Sequence, residues 1–215
     1  MIKEIAEDLL SIDEKTWARY AYSREPLRGK IAFDRYYNDY FQGAKKDGEL
    51  LANQYRNRSI DQLLEDLGLQ VTMLPMQEGQ TIYNFAIYNE PDTIQIYKEN
   101  TEESQMGVDS LKDERITVNI KNMLLAHEIF HALQNKHPEL FVNEPHIHLW
   151  KLFGYENNSR LVSLEEVAAM FFAKSYLGMK ANPYVYDVIM CMSRAPERAK
   201  TLYRTIMQLK EKQDE

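Results

Sequence analysis

The stretch NMLLAHEIFHALQ, residues 122–134, sets His127, Glu128 and His131 inside an apolar run and holds two of the chain's five histidines. Leu124, Leu125, Ile129, Phe130 and Leu133 surround these polar groups at the spacing of a helix buried over most of its surface. A histidine in such a place needs a hydrogen-bond partner or a metal. A glutamate needs one more urgently, because an uncompensated buried charge is costly. The three residues spell H-E-x-x-H. On a helix, histidines at i and i+4 project from one face, a turn apart, and can share one tetrahedral zinc ion. Glu128 is offset by one position, which suits a carboxylate that handles water rather than one that ligates. The plain alternative is two core histidines bonded to carbonyls, with Glu128 at the surface. It leaves three costly groups to satisfy separately, so the metal reading is preferred.

A site of this kind takes a third protein ligand and leaves a fourth position open. Residues 160–178, RLVSLEEVAAMFFAKSYLG, form a second strongly helical segment. Ser163 is its expected N-cap, and Glu166, three residues on, would by itself complete a capping box. Glu166, Ala169 and Ala173 fall at i, i+3 and i+7, so small residues share the glutamate's face and allow close approach to the histidine helix. Glu165 competes, having Ala168 at i+3, but bulky Phe172 stands at its i+7 position. Glu166 is therefore the favoured third ligand.

The rest of the chain reads as helices, then short strands, then helices. Residues 1–58 form an N-terminal helical region, tyrosine-rich over RYAYSREPLRGKIAFDRYYNDYF (19–41), where Pro26 starts or interrupts a helix. Residues 59–177 hold a small sheet and the metal-site helices, and 178–215 hold C-terminal helices. In SIDQLLEDLGLQVTML (59–74), Ser59 caps a helix with Gln62 at the reciprocal position, and Gly68 stops it. Leu69, Val71 and Met73 then alternate as one face of a strand does. Further strand candidates are Thr81–Tyr88, Thr93–Tyr97 and Arg115–Ile120. The acidic ENTEESQMGVDSLKDE (99–114) reads as a surface loop, and everything after Ile120 reads as helix nearly to the end. The expectation is one α+β domain, a small strand sheet packed on a mainly helical body.

Composition narrows the function classes. Asp plus Glu outnumber Lys plus Arg by 33 to 26 over 215 residues, a net charge of −7 that argues against direct nucleic-acid binding. No apolar run approaches the ~18 residues of a membrane span, and the opening MIKEIAEDLLSIDEK is too acidic for a secretory leader. The single cysteine, Cys191, allows no internal disulfide and reads as an inert core thiol. A cytoplasmic protein is expected.

H-E-x-x-H followed about 35 residues later by a helix reading E-x-x-A-x-x-F-A resembles the gluzincin metallopeptidases. More narrowly, the order LLEDLGLQVTML, TIYNFAIY, TIQIY, RITVNI, LLAHEIFHAL is similar to the compact ImmA/IrrE-type family. The resemblance covers roughly Ser59 to Leu177. It implies a zincin-like fold, zinc held by His127, His131 and Glu166, Glu128 as general base, and a protein or peptide substrate, regulatory in that family. Two positions depart from the pattern. Met170 stands where the family has Asn after the alanine, and the glutamate helix ends in SYLGMK rather than an apolar residue and proline. No helix-turn-helix precedes the domain. The oxyanion of peptide hydrolysis needs a further donor, for which His146, His148, Tyr155 and Tyr176 are the candidates in or beside the segment joining the two helices. His137 complements the helix dipole. Two other readings stand beside the peptidase. One is a degenerate peptidase that binds zinc and a partner without cleavage. The other is a metal-free helical interaction module with the tyrosine-rich third as its surface.

Overall fold

The computed structural model describes residues 2–75, 84–152 and 155–211. Helices α1 (Ile2–Leu10) and α2 (Glu14–Ser23) come first. Asp13 caps α2, its Oδ1 accepting from the Thr16 N–H at 2.8 Å. Pro26 lies in the turn after α2, so it follows a helix rather than starting or interrupting one. A short α3 (Phe33–Arg35), a π-helical stretch (Tyr36–Phe41) and α4 (Gln42–Tyr55) then run on continuously. The tyrosines here turn inward. Tyr20, Tyr36 and Tyr40 are buried, which removes them from any exposed aromatic surface.

Helix α5 (Ile60–Leu67) matches its sequence signals. The Ser59–Gln62 capping box is complete, and Gly68 adopts φ 68°. The N–H groups of Gly68 and Leu69 return to the carbonyls of Glu65 and Leu64, the paired bonds of a Schellman stop. Strands β1 (Gln70–Leu74), β2 (Ala86–Asn89) and β3 (Thr93–Tyr97) form a sheet of order β1-β3-β2. β3 runs parallel to β1 and antiparallel to β2, which leaves β2 on an edge. Of the strand expected over Thr81–Tyr88, residues 81–83 lie outside the described residues.

Three expectations are corrected. The acidic segment after β3 is a helix, α6 (Lys98–Leu111), not a loop. Its inward face carries Asn100, Thr101 and Ser104 beside Val108 and Leu111, so the helical period is present but written partly in polar residues. Two of those groups are satisfied locally: Thr101 Oγ1 donates to the Tyr97 carbonyl and Ser104 Oγ to that of Asn100. Residues 115–119 form a turn and extended lead-in rather than a strand, ending at Asn119, the N-cap of α7 (Ile120–Lys136). The alternation of Ile116, Val118 and Ile120 reflects burial of Ile116 and Ile120, not pairing in a sheet. The chain after α7 is also not continuously helical. A hairpin, β4 (Ile147–Leu152) with β5 (Tyr155–Ser159), stands between α7 and α8 (Val162–Leu177), followed by α9 (Val185–Ile189) and α10 (Pro196–Glu211).

Helix α8 packs against both α4 and α7. A Cβ added at Gly48 would lie 2.2 Å from the Ala168 carbonyl oxygen and 2.8 Å from the Phe172 nitrogen, so α4 and α8 meet backbone to backbone. Gly48→Ala should therefore destabilise the protein by about 1–3 kcal/mol, the usual cost of overpacking. Denaturant unfolding checks this, and an unchanged midpoint would contradict the helix contact. Buried residues from Ile5 to Ile206 join in one hydrophobic cluster, Cys191 included. Among the described residues no helix is long and apolar enough to cross a membrane.

Candidate metal centre

Helix α7 brings its three polar residues to one cleft because its other faces are occupied. Ile129, Phe130 and Leu133 are fully buried, which fixes the rotation of the helix and turns His127 and His131 toward α8. Their Nε2 atoms lie 3.3 Å apart. Glu166 of α8 reaches both, with Oε2 3.4 Å from His127 Nε2 and Oε1 3.8 Å from His131 Nε2. One donor atom from each of the three residues fits within 4.8 Å of the others, and the group could hold a metal ion. Glu165 points elsewhere, pairing with Arg160 at 3.5 Å.

Helix α8 begins two residues earlier than expected, with Leu161 as N-cap. Ser163 is not a cap. Its N–H donates to Glu25 Oε2 at 3.0 Å, and its hydroxyl bonds the Tyr36 hydroxyl at 2.8 Å. Glu166 consequently has no capping duty and is left to the histidines.

The electrostatics follow from the spacing. Burial alone would depress His127, but the Glu166 carboxylate outweighs it and raises the imidazole to about 9. Burial opposes ionisation of Glu166, yet the hydrogen bond and charge of His127 bring its carboxyl down to about 2. His131, buried and next to a charged His127, is held below the ordinary histidine value and so is neutral. In the metal-free protein the cleft therefore contains a histidinium–carboxylate pair beside a neutral imidazole. Ligation requires His127 to lose its proton. Uptake of a divalent ion near neutral pH should release about one proton per chain, read by calorimetry in two buffers of different ionisation heat. Binding heat that is the same in both buffers would contradict it.

Glu128 is 8% exposed and is not one of the three converging donors. Its Oε2 accepts the Tyr88 N–H of β2 at 2.8 Å. Burial lifts its carboxyl above the ordinary value, opposed by the charge of His127 and by the Tyr88 N–H. Beside the three donors stands Asp187 of α9. Its Oδ2 accepts from the Tyr20 hydroxyl and from Arg24 Nη1, both at 3.0 Å. Burial pushes Asp187 up, against the pull of Arg24 and Tyr20.

His127, Glu128 and Glu166 border two cavities, one of about 550 Å³ and one of about 350 Å³. None of the four candidate oxyanion donors lines either. His146 Nε2 bonds the Phe141 carbonyl, His148 bonds Asn158 on the exposed hairpin, and the Tyr176 hydroxyl donates to the Arg58 carbonyl. Tyr155 is 78% exposed. His137 ends α7 and bonds Glu139 and the Tyr55 hydroxyl. Polar residues that do face the cleft, among them Tyr20 of α2, Arg24 at its C-cap, Asp187 of α9 and Arg198 of α10, were not anticipated. Tyr20 and Arg24 do stand at i and i+4, a spacing that placed them on one helix face. Nothing in the sequence indicated that this face meets the histidine helix. Comparison of the chain with protein-family models, with curated proteins and with solved structures gave no match.

Proposed function

We propose that the chain is a zinc-dependent peptidase of gluzincin type, related to the ImmA/IrrE-type family, with His127, His131 and Glu166 as ligands and Glu128 as general base. The carrying observation is the donor spacing. Ligands at the 2.0–2.1 Å bond lengths of zinc stand about 3.3–3.4 Å apart on the edges of a tetrahedron. The His127–His131 and His127–Glu166 separations of 3.3 and 3.4 Å match this, and His131–Glu166 at 3.8 Å is slightly open.

Zinc held there would polarise a carbonyl and lower the pKa of water toward neutrality. The protein's own part centres on Glu128. With one oxygen fixed by the Tyr88 N–H, the other is left to take a proton from the attacking water and return it to the leaving amine. A carboxyl raised by burial is better suited to both transfers than an ordinary one.

A peptide substrate is supported by strand β2. Tyr97 N–H bonds the Phe85 carbonyl, and residues 87 and 89 continue the same register, so Ala86 and Tyr88 turn their backbone polar groups away from β3. Ala86 borders both cavities. With the Tyr88 N–H held by Glu128, an extended segment could pair with the Ala86 groups of this edge and bring its carbonyl alongside the triad. Purified protein should carry about one zinc per chain and cleave a random-sequence peptide mixture in a chelator-sensitive way. Folded protein that takes up no zinc removes the metal centre, whereas zinc-loaded protein that leaves every peptide intact is a binding module.

A further inference from the structure

The larger cavity holds more than the catalytic groups. Opposite His127, Glu128 and Glu166 its wall is built by α2, α9 and α10, and two guanidinium groups stand in that wall. Arg24 uses Nη1 on Asp187 and Tyr20. Arg198, exposed in the first turn of α10, makes no hydrogen bond or ion pair with the described residues. The remaining wall is largely apolar, including Phe85, Met123, Leu124, Met170, Met190 and Leu202.

The charges do not cancel. Asp187 offsets Arg24, and Glu128 with Glu166 would offset a divalent ion held by the triad. Arg198 is then in excess, on a chain whose net charge is −7. A cation with no partner among the described residues, in the wall of a largely apolar cavity that also holds His127, Glu128 and Glu166, fits a ligand with an aliphatic stem and a negative end. Arginine offers a carboxylate two parallel donors, and partial exclusion of water strengthens the bond.

We infer that this cavity binds a carboxylate of the substrate, from a glutamate side chain or the peptide's C-terminus, and that Arg198 is its principal partner. The inference rests on the peptidase reading and names the substrate class for it.

The test uses zinc-loaded, full-length Glu128→Gln protein, so that ligands are held rather than cut. It is incubated with randomised octapeptides, one pool ending in a free carboxylate and one amidated, and retained peptides are sequenced by mass spectrometry. A charge-assisted hydrogen bond corresponds to roughly 10-fold in affinity or more. A side-chain carboxylate as ligand gives glutamate enriched about 10-fold at one position of the amidated pool. A terminal carboxylate as ligand gives about 10-fold greater retention of the free pool. In either case Arg198→Ala abolishes the preference and Arg198→Lys restores part of it, with zinc content unchanged. Retained peptides with no carboxylate preference, or a preference that survives Arg198→Ala, overturn the inference and leave the peptidase reading standing. Zinc-loaded protein that retains no peptide overturns both.

Discussion

Glu128→Gln should keep its zinc and its fold while peptide hydrolysis falls by at least ~10²-fold, the lower end of what a positioned general base contributes. The substitution is nearly isosteric. The amide oxygen can still accept the Tyr88 N–H that Glu128 Oε2 accepts at 2.8 Å, which leaves an NH₂ group where the free carboxylate oxygen stood. That group cannot take a proton. Because Glu128 is not among the three converging donors, zinc measured by elemental analysis should be the same in both proteins. A variant that hydrolyses peptides at the parental rate would remove Glu128 from the chemistry. One that loses zinc would place it among the ligands.

Glu166→Ala should lower zinc affinity by at least an order of magnitude, beyond the smaller losses that follow from disturbing a residue behind a ligand. Glu165→Ala should leave binding nearly unchanged, since its carboxylate pairs with Arg160 rather than with the histidines. The metal-free protein gives a second reading. His127, raised from 6.5 to about 9 by Glu166, stabilises the folded state below about pH 6.5, and this contribution is lost as pH rises through about 9. Glu166, lowered from 4.5 to about 2, contributes above about pH 4.5 and loses its contribution as pH falls through about 2. Glu166→Ala should therefore flatten the fall in unfolding free energy between about pH 6.5 and 9. Competition with a zinc-binding dye and urea titrations across that range read the two effects. If Glu165→Ala costs the zinc instead, the ligand is the neighbouring residue.

The sequence made the cleft legible where chemistry and periodicity agree. H-E-x-x-H imposes a shared face on any helix, and Ala169 and Ala173 marked the side of α8 that carries Glu166. Helix α5 was legible to the residue because capping box and αL glycine are both local devices. Where burial is polar, the same reasoning failed. Helix α6 turns Asn100, Thr101 and Ser104 inward, bonded to nearby carbonyls, so its apolar stripe is too thin to read. Buried Ile116 and Ile120 imitated a strand that pairs with nothing. The hairpin between α7 and α8 went unseen because HIHLWKL and YENNS lie between two long helical segments and were read as their connector. Arg24, Asp187 and Arg198 come from segments with no motif at all. Their place beside the triad is decided by how α2, α9 and α10 pack, which no spacing within one segment encodes.

The bond between the Tyr88 N–H and Glu128 has a mechanical consequence. β2 is stitched to β3 along one side and fastened through this bond to the histidine helix on the other. The carboxylate cannot swing without releasing the strand, and the strand cannot slide without turning the carboxylate. A chain seated along β2 would thus act on Glu128 directly, as a hand on a lever. A poorly seated chain would tilt Glu128 off its line. On the peptidase reading, discrimination between chains and readiness to react would share one joint.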